Sequence, residues 1–335
     1  MKHTLISRKK NPSFFSIETV FLVISAELKG EIEINHVELP FTSRGILSIL
    51  LNLVYLKWAI RNKQSFFHIT GDIHYSILAL PADKTILTIH DLIFLHSHKG
   101  IKRSFLKWIY LDLPVKKARY ITTISEKSKQ EIINHTGCDA LKIIVIPNPV
   151  DPSFVYKEKP FNADKPVVLF IGVKPNKNLE KTILSLSGLN IHLRIIGKPS
   201  SQQLILLNQH HIDFSFDCNI SKVQLATEYQ HCDVVLFPST YEGFGLPVIE
   251  GFAAGRPVIT SDISPMKEIS NGAALLVDPQ DTGSIRDAVV KLINDQSLRS
   301  DLVSNGLEVV KAYRPEVIAG KYKELWKKVE DVYKA

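Results

Sequence analysis

Cysteine is scarce in this chain of 335 residues. The three cysteines, Cys138, Cys218 and Cys232, are too few and too irregularly spaced for a disulfide framework or a zinc site. The cysteine content therefore favours a reducing cytoplasm. Long apolar runs are also missing, because no segment approaches the roughly twenty apolar residues that cross a bilayer. The apolar patch at residues 20–24 is short and follows polar residues, so we expect no signal peptide.

Metal-binding patterns are missing as well. The sequence contains no Asp-x-Asp, and the histidines at 90, 96 and 98 have no partnering carboxylate pattern. Scattered histidines of this kind are more often surface groups or satisfied core groups. The sequence therefore predicts no metal site, no cofactor and chemistry that needs no divalent cation.

Acidic residues are few in the first half of the chain. Residues 1–150 hold 20 Lys and Arg against 12 Asp and Glu, whereas residues 151–335 hold 21 against 22, which gives the net +7. A basic surface on the first half suits an anionic membrane or a phosphorylated acceptor. Nucleic acid is a weaker alternative, because no recognisable nucleic-acid-binding module accompanies the charge. We expect a cytoplasmic protein that can lie peripherally on the inner face of a membrane.

Two segments could form a membrane-facing surface. Residues 45–60 are rich in Leu and Ile and are followed by Arg61 and Lys63. They are too short to span a bilayer, and the pattern favours a core helix over an interfacial one. Residues 102–110 mix basic and aromatic side chains in the manner of an interfacial helix, and a solvated helix face explains them equally well.

Short β runs alternate with helical or loop-like stretches along the chain, which is typical of parallel α/β folds. The runs cover residues 66–70, 85–89, 120–124, 143–146, 167–172, 193–197, 234–238, 258–260 and 274–277. Three prolines at residues 147–152 favour an extended connector. The sequence predicts two doubly wound domains, residues 1–150 and 151–312, facing a central cleft in which ligands bind beyond the strand ends. A final helix follows at residues 313–335.

The most informative segment is residues 238–250, where a buried strand, a glycine turn and a helix start follow in order. Glu242 and Glu250 lie on either side of that turn. The backbone N–H groups of a helix start carry the positive end of the helix dipole and bind phosphate. We therefore expect the backbone N–H groups of Gly243, Phe244, Gly245 and Leu246 to form a cradle for an anion. The alternative is an ordinary strand-turn-helix with no ligand.

A second constellation follows the strand that ends near residue 172. Gly172 permits a tight turn, and Lys174 and Lys177 come before the next helix. Two ammonium groups could neutralise a diphosphate, and they would stabilise negative charge that grows on it in a transition state. A solvated lysine-rich turn is the alternative interpretation.

These motifs resemble the retaining GT-B glycosyltransferases that use nucleotide sugars, whose signature is a Glu, seven residues and a second Glu. The resemblance runs over residues 85–280 and includes the segments at 88–91, 123–126, 146–151, 172–179 and 255–260. It implies two Rossmann-like domains, an acceptor-binding one and a nucleotide-sugar-binding one. It also implies that the last helix, residues 313–335, crosses back to the first domain.

The resemblance also implies residue roles. Glu250 would hold the ribose hydroxyls, Glu242 would contact the donor sugar, and Gly197 and Lys198 would lie near the base. His90 would hold a sugar hydroxyl, with Asp91 orienting its ring, although a packing histidine is the alternative. The family usually has an arginine before the lysine at 177, and here Lys174 is only a plausible substitute.

The function implied is retaining, metal-independent transfer of a hexosyl group, with mannosyl favoured, from GDP-mannose or a UDP-hexose. The acceptor would be a saccharide or a lipid-linked sugar in surface polysaccharide, lipopolysaccharide or glycolipid synthesis. A nucleotide-sugar epimerase of the same fold and a non-catalytic nucleotide-sugar-binding scaffold are the alternatives. Residues 8–16 lack the glycine-rich loop of many relatives, and a basic loop would suit a phosphorylated acceptor.

Overall fold

The computed structural model describes residues 2–9, 16–43, 45–61, 63, 65–96 and 98–334. Its contacts divide the chain into two compact units, Met1–Pro149 with Pro315–Ala335, and Val150–Arg314. The basic loop expected at residues 8–16 falls mainly on residues 10–15, which lie outside the described residues.

The first unit is built on a parallel sheet of six strands in the order β2-β1-β3-β4-β5-β6. Its strands are β1 (Lys2–Ser7), β2 (Glu33–Glu38), β3 (Phe66–Ile69), β4 (Thr85–Ile89), β5 (Tyr120–Thr123) and β6 (Ile143–Val145). Its helices are α1 (Ser16–Glu27), α2 (Ile46–Ile60), α3 (Ile93–His96), α4 (Gly100–Lys107), α5 (Leu113–Lys117) and α6 (Glu126–Thr136). A π-helical turn, Trp108–Asp112, joins α4 to α5.

The second unit also has a parallel sheet of six strands, in the order β12-β11-β10-β7-β8-β9. Its strands are β7 (Val167–Ile171), β8 (His192–Ile196), β9 (Asp213–Asp217), β10 (Val234–Phe237), β11 (Val258–Ser261) and β12 (Leu275–Val277). Its helices are α7 (Leu179–Leu186), α8 (Ser201–Gln209), α9 (Lys222–His231), α10 (Leu246–Ala253), α11 (Met266–Ser270), α12 (Thr282–Asn294) and α13 (Gln296–Val309).

The strand order of the second unit reverses between β7 and β10. Numbered within the unit, the order reads 3-2-1-4-5-6, the doubly wound arrangement of dinucleotide-binding folds. In such a sheet, ligands bind beyond the carboxyl ends of the two strands at which the order reverses. The loops after β7 and β10 are therefore the place to look for a site.

The predicted α/β class is confirmed, and every predicted β run contains a strand. Three strands were not predicted: β1, β2 and β9. Two of them, β2 and β9, each lie at one edge of their sheet, and their sequences EINHVE and DFSFD are largely polar and exposed. Edge strands keep one side in water and so lack the apolar run that marks a buried parallel strand.

The last helix, α14 (Pro315–Lys334), belongs to the first unit. Its Tyr322, Trp326 and Val329 are buried in a core cluster with Phe21 and Ile24 of α1. Burying large aromatic and aliphatic side chains stabilises this contact by roughly 1.5–3 kcal/mol for each side chain. Residues 313–335 were expected to return to the first domain as one helix.

A buried hydrogen bond ties the same helix to β1. The ring nitrogen Nε2 of His3 lies 2.8 Å from Oε1 of Glu330, and both side chains are almost wholly buried. The ring of His3 also stacks on that of Trp326, with centroids 4.7 Å apart. Strand β1, which was not predicted, thus carries a buried histidine. The hydrogen-bond partner of that histidine comes from the far end of the chain.

Helix α2 forms where residues 45–60 were predicted to be helical, but the preference for a core helix describes only one of its faces. Ile49, Asn52 and Leu56 are buried, whereas six large apolar side chains are exposed. The apolar composition of the segment predicted burial, but it did not show which face of the helix packs on the core. Within the described ranges, no helix is both long and apolar enough to cross a bilayer.

His68 on β3 is a buried neutral histidine. The indole N–H of Trp326 donates to its Nδ1 at 3.2 Å, and its Nε2 lies 2.7 Å from Oγ1 of Thr88. Because an indole can only donate, Nδ1 accepts, and the proton sits on Nε2. Burial lowers the pKa of His68 from 6.5 to about 3, and the nearby His3 and His90 push it in the same direction.

We expect stability to fall when the solution is acidified below the ordinary histidine pKa. His68 binds a proton near pH 6.5 in the unfolded chain and only near pH 3 in the folded protein. The contribution of neutral His68 to the free energy of unfolding is therefore fully present above pH 6.5. It declines toward pH 3, with a loss of about 2 kcal/mol by pH 5. Urea unfolding at pH 7 and pH 5 measures the decline, and His68→Gln should make it shallower. An unchanged pH dependence in this variant would contradict the assignment.

Candidate functional site

Two loops of the second unit meet at the point where its strand order reverses. The loop after β7 spans residues 172–178, and the loop after β10 spans residues 238–245. The amide of Thr240 donates to the carbonyl of Asn176 at 2.8 Å, and the Asn176 side chain donates to the carbonyl of Tyr241 at 3.0 Å. The two constellations predicted from the sequence are therefore in direct contact.

An ion pair lies at the centre of this contact. Lys177 Nζ donates to Oε1 of Glu242 at 2.6 Å, and the two side chains are only 19% and 15% exposed. The ammonium group also lies 4.7 Å from the centre of the Phe237 ring. Gly172 makes room for the lysine, because a Cβ there would lie 2.9 Å from Lys177 Cγ. Its φ of +87° also favours glycine.

Asn178 holds the base of both loops. Its backbone is left-handed, with φ of 70°, and its side-chain amide donates to the carbonyls of Pro238 and Pro279 at 3.1 and 2.7 Å. Its own carbonyl accepts from the hydroxyl of Thr182 at 2.9 Å. One buried side chain thus connects the ends of β7, β10 and β12.

Helix α10 begins at the glycine turn as predicted, with Gly245 at φ of 118° before Leu246. Pro247 occupies the first turn, where a missing N–H costs nothing. No side chain of the described residues caps this helix start. A helix start of this kind presents backbone N–H groups and the positive end of its dipole to an anion.

The second signature glutamate, Glu250, is buried in α10. The hydroxyl of Tyr229 donates to its Oε2 at 2.7 Å, and Lys222 Nζ lies 3.9 Å from its Oε1. Burial raises the pKa of Glu250, and Asp151 adds to this, while Lys222, the Tyr229 bond and Lys177 oppose it. Lys177 therefore acts electrostatically on both signature glutamates, because it also pairs with the first.

The remaining predicted residues of this unit differ in burial and in what they contact. Gly197, with φ of 140°, follows β8, and a Cβ there would lie 3.0 Å from Val173 Cγ1 in the loop after β7. Lys174 and Lys198 are exposed. The ring of Phe244 is buried and packs edge-on against Tyr313 at 5.8 Å, so its side chain is committed to the core.

His90 belongs to the first unit, directly after β4. It is buried, and its Nε2 lies 3.0 Å from the carbonyl oxygen of Thr70, which follows β3. Oδ1 of Asp91, which was expected to orient the ring, accepts from the amide of Ile93 at 2.9 Å, and its role toward His90 stays a prediction. Ser125 caps α6 by accepting from the Ser128 amide.

Sequence reasoning missed the residues that hold the predicted ones. Tyr229 and Lys222 reach Glu250 from α9, and Asn176 reaches Glu242, 66 positions further along the chain, at 3.3 Å. No local pattern announces such contacts. In the described part of the chain, no group of three or more His, Cys, Asp or Glu residues is placed to hold a metal ion.

The chain resembles known glycosyltransferases along most of its length. A family model described as Glycosyl transferases group 1 matches residues 154–309, and one described as Glycosyltransferase Family 4 matches residues 12–154. The fold matches sucrose-phosphate synthase from Thermosynechococcus elongatus with a TM-score of 0.81 at 18% identity, over 99% of both chains. It matches Anabaena HepE, crystallised with UDP and glucose, with a TM-score of 0.77 at 14% identity, over 98% of this chain and 100% of that one.

The chain therefore belongs to the glycosyltransferases of GT-B architecture. Among curated proteins, it is 29% identical over 213 residues to the O-antigen chain mannosyltransferase RfbU of Salmonella typhimurium. That match covers 61% of this chain and 59% of RfbU. The chain thus spans less than two thirds of the length of this relative.

The close contact of α10 with the sheet predicts the effect of one substitution. A Cβ at Gly251 would lie 2.8 Å from Val258 Cγ2 and 3.2 Å from Val235 Cγ2. We expect Gly251→Ala to lower the free energy of unfolding by about 1–3 kcal/mol, because the helix must move off the sheet. Urea denaturation measures the change.

Gly320 in α14 is the matched control, because it too is helical and a Cβ there would meet nothing within 4 Å. Gly320→Ala should leave stability unchanged or raise it by up to about 1 kcal/mol. Equal effects of the two substitutions would show that α10 does not press on the sheet as described.

Proposed function

We propose that the protein transfers a hexosyl group, with mannosyl favoured, from a nucleotide sugar to a saccharide or lipid-linked acceptor. The carrying observation is the Lys177–Glu242 ion pair, which lies beside the start of α10 where the sheet order reverses. Fixed positive groups at that place suit a diphosphate, and a carboxylate beside them suits sugar hydroxyls. The likeness to RfbU favours mannose, and the UDP bound by HepE keeps a UDP-hexose open.

The roles follow from the chemistry of each group. Lys177 neutralises the diphosphate as the glycosidic bond breaks, because an ammonium group stabilises charge that grows in the transition state. Glu242, released from the lysine, accepts hydrogen bonds from the donor sugar. Glu250, held by Tyr229, accepts from the ribose hydroxyls. The backbone N–H groups of residues 243–246 bind sugar or phosphate oxygens.

Retention of the anomeric configuration and independence from metal belong to the same proposal. Neither glutamate acts as a nucleophile, since the departing phosphate takes the proton of the acceptor hydroxyl on the face that the leaving group vacates. Lys177 and the dipole of α10 supply positive charge at that place. Synthesis of a surface polysaccharide or glycolipid, at the cytoplasmic face of an anionic membrane, is the setting we propose for this reaction.

A nucleotide titration tests the donor site. With EDTA present, one of GDP, UDP, ADP and dTDP should raise the melting temperature, because a ligand that binds only the folded state stabilises it. We expect Lys177→Ala to weaken the binding of that nucleotide by roughly tenfold or more, the usual loss for a hydrogen bond to a charged group. Glu250→Ala should weaken it too, and the exposed Lys291→Ala on α12 should not.

Four results would argue against parts of this proposal. A shift that needs a divalent cation would contradict metal independence. No shift with any nucleotide would contradict the donor site and favour a scaffold. Binding without transfer or hydrolysis would favour a nucleotide-sugar sensor, and turnover that changes the sugar of the donor would favour an epimerase.

Slow hydrolysis of the donor tests retention without knowledge of the acceptor. Because water would attack from the face that the phosphate leaves, the first hexose released should carry the anomeric configuration of the donor. Proton NMR of the released sugar, recorded before mutarotation, distinguishes the anomers. Release of the opposite anomer would contradict the proposed front-face substitution, even if donor binding holds.

A further inference from the structure

Helix α2 presents an apolar face to solvent. The face consists of six side chains that are 41–71% exposed and that recur at helical spacing: Ile46, Leu47, Leu50, Leu51, Val54 and Trp58. Monomeric proteins rarely expose a contiguous apolar surface of this kind without using it for binding. We call these six residues the α2 apolar face.

The opposite side of the helix fixes this orientation. Asn52 is fully buried, and its amide donates to the carbonyl of Phe41 at 3.0 Å and to the hydroxyl of Tyr75 at 2.8 Å. Its Oδ1 accepts from the Phe41 amide at 3.2 Å. Ile49 and Leu56 pack into the core beside it. The helix thus points an amide inward and leucines outward, and turning it over would leave the buried partners of Asn52 unpaired.

A basic cavity lies at the carboxyl end of this helix. It has a volume of about 460 Å³, and Lys57, Arg61, Lys63 and Lys84 are among its lining residues. Asp83 is the only carboxylate among the lining residues that the structure describes. We call these four cations the cation cluster. Arg61 lies over the ring of Trp58, 5.7 Å from its centroid, so the cluster adjoins the α2 apolar face directly.

The segments that carry the face and its neighbouring helix hold basic residues and no acidic ones. Residues 39–71 contain no Asp or Glu, and neither do residues 92–111. Lys117 also lies near Lys57. Partial burial of Lys117 lowers its pKa, and the positive charge of Lys57 lowers it further. Apolar side chains flanked by basic ones are the composition of helices that lie in the headgroup region of anionic bilayers.

Helix α4 and the π-helical turn after it offer a neighbouring surface of the same composition. Ile101 and Trp108 are 91% and 50% exposed, and Lys102 is exposed as well. The hydroxyl of Tyr110 donates to the carbonyl of Ser43, just before α2, at 3.1 Å. The segment at 102–110, for which an interfacial helix and a solvated face were both open, therefore contacts the chain just before α2.

Charge decides between a membrane and a second copy of the chain as the occupant. A two-fold symmetric dimer brings the same patch of both subunits together. Contact through the α2 apolar face would bring no carboxylate of that segment to the cation cluster, because residues 39–71 contain no Asp or Glu. An anionic phospholipid surface satisfies both features, because acyl chains cover the leucines and phosphates pair with the cations.

We propose that the α2 apolar face inserts into the headgroup region of an anionic phospholipid bilayer, while the cation cluster binds lipid phosphates. This rests on the membrane setting of the proposed function and specifies the surface responsible. The donor chemistry of the second unit does not enter it.

Vesicle flotation of the full chain tests the proposal. The protein should bind vesicles of phosphatidylcholine with phosphatidylglycerol, bind vesicles of phosphatidylcholine alone much more weakly, and release as salt is raised. Leu47→Ser/Val54→Ser should weaken binding by roughly tenfold or more, because two exposed apolar side chains lose their place in the bilayer. Lys57→Gln/Lys63→Gln should weaken it by roughly fivefold for each charge removed and reduce its salt dependence.

A matched control carries the same kind of change elsewhere. Ile205 on α8 and Val223 on α9 are 55% and 69% exposed, so Ile205→Ser/Val223→Ser removes equivalent apolar surface from the second unit. This control should bind the vesicles as the unchanged protein does. All variants should keep their melting temperature, and all should keep the nucleotide-induced shift, which reports the donor site separately.

Three outcomes would overturn the proposal. They are an unchanged protein that does not bind the anionic vesicles, a control that loses binding as the α2 variant does, and equal binding to both vesicle compositions. Analytical ultracentrifugation addresses the second copy. A dimer that Leu47→Ser/Val54→Ser abolishes, without vesicle binding, would assign the face to self-association instead.

Discussion

Asn178 is the residue on which the candidate donor site depends. Its side chain donates to carbonyls that follow β10 and β12, while its carbonyl receives the Thr182 hydroxyl of the helix after β7. Parallel strands bring their carboxyl ends to one edge of the sheet, but the loops beyond them have no ladder to fix their spacing. The buried side-chain amide of Asn178 supplies that spacing with two such bonds, and so holds together the loops around Lys177 and Glu242.

The ion pair between those loops holds them together, and both of its charged groups could also bind a ligand. Lys177 and Glu242 are mostly shielded from water, so each would be costly to leave without a partner. A nucleotide sugar offers each of them a substitute, because phosphate oxygens suit the ammonium group and sugar hydroxyls suit the carboxylate. In the function we propose, donor binding requires these two side chains to exchange partners rather than a new site to form.

The sequence allowed the strand, glycine turn and helix around Glu250 to be predicted, because each signal is local. It did not reveal Tyr229, which reaches that glutamate from another helix. Strand β1 was missed for a similar reason, since His3 is buried against Glu330 almost a whole chain length away. The orientation of α2 depends on the hydrogen bonds of Asn52, so apolar composition alone did not show which face of the helix is buried.

Hydrogen exchange of the backbone amides tests the central claim that the two loops form one donor site. On addition of the nucleoside diphosphate that stabilises the protein, we predict slower exchange in peptides covering residues 172–178 and 238–246. Amide groups that bind an anion lose their access to water. Exchange that is unchanged in both segments, with protection elsewhere in the second unit, would contradict the account.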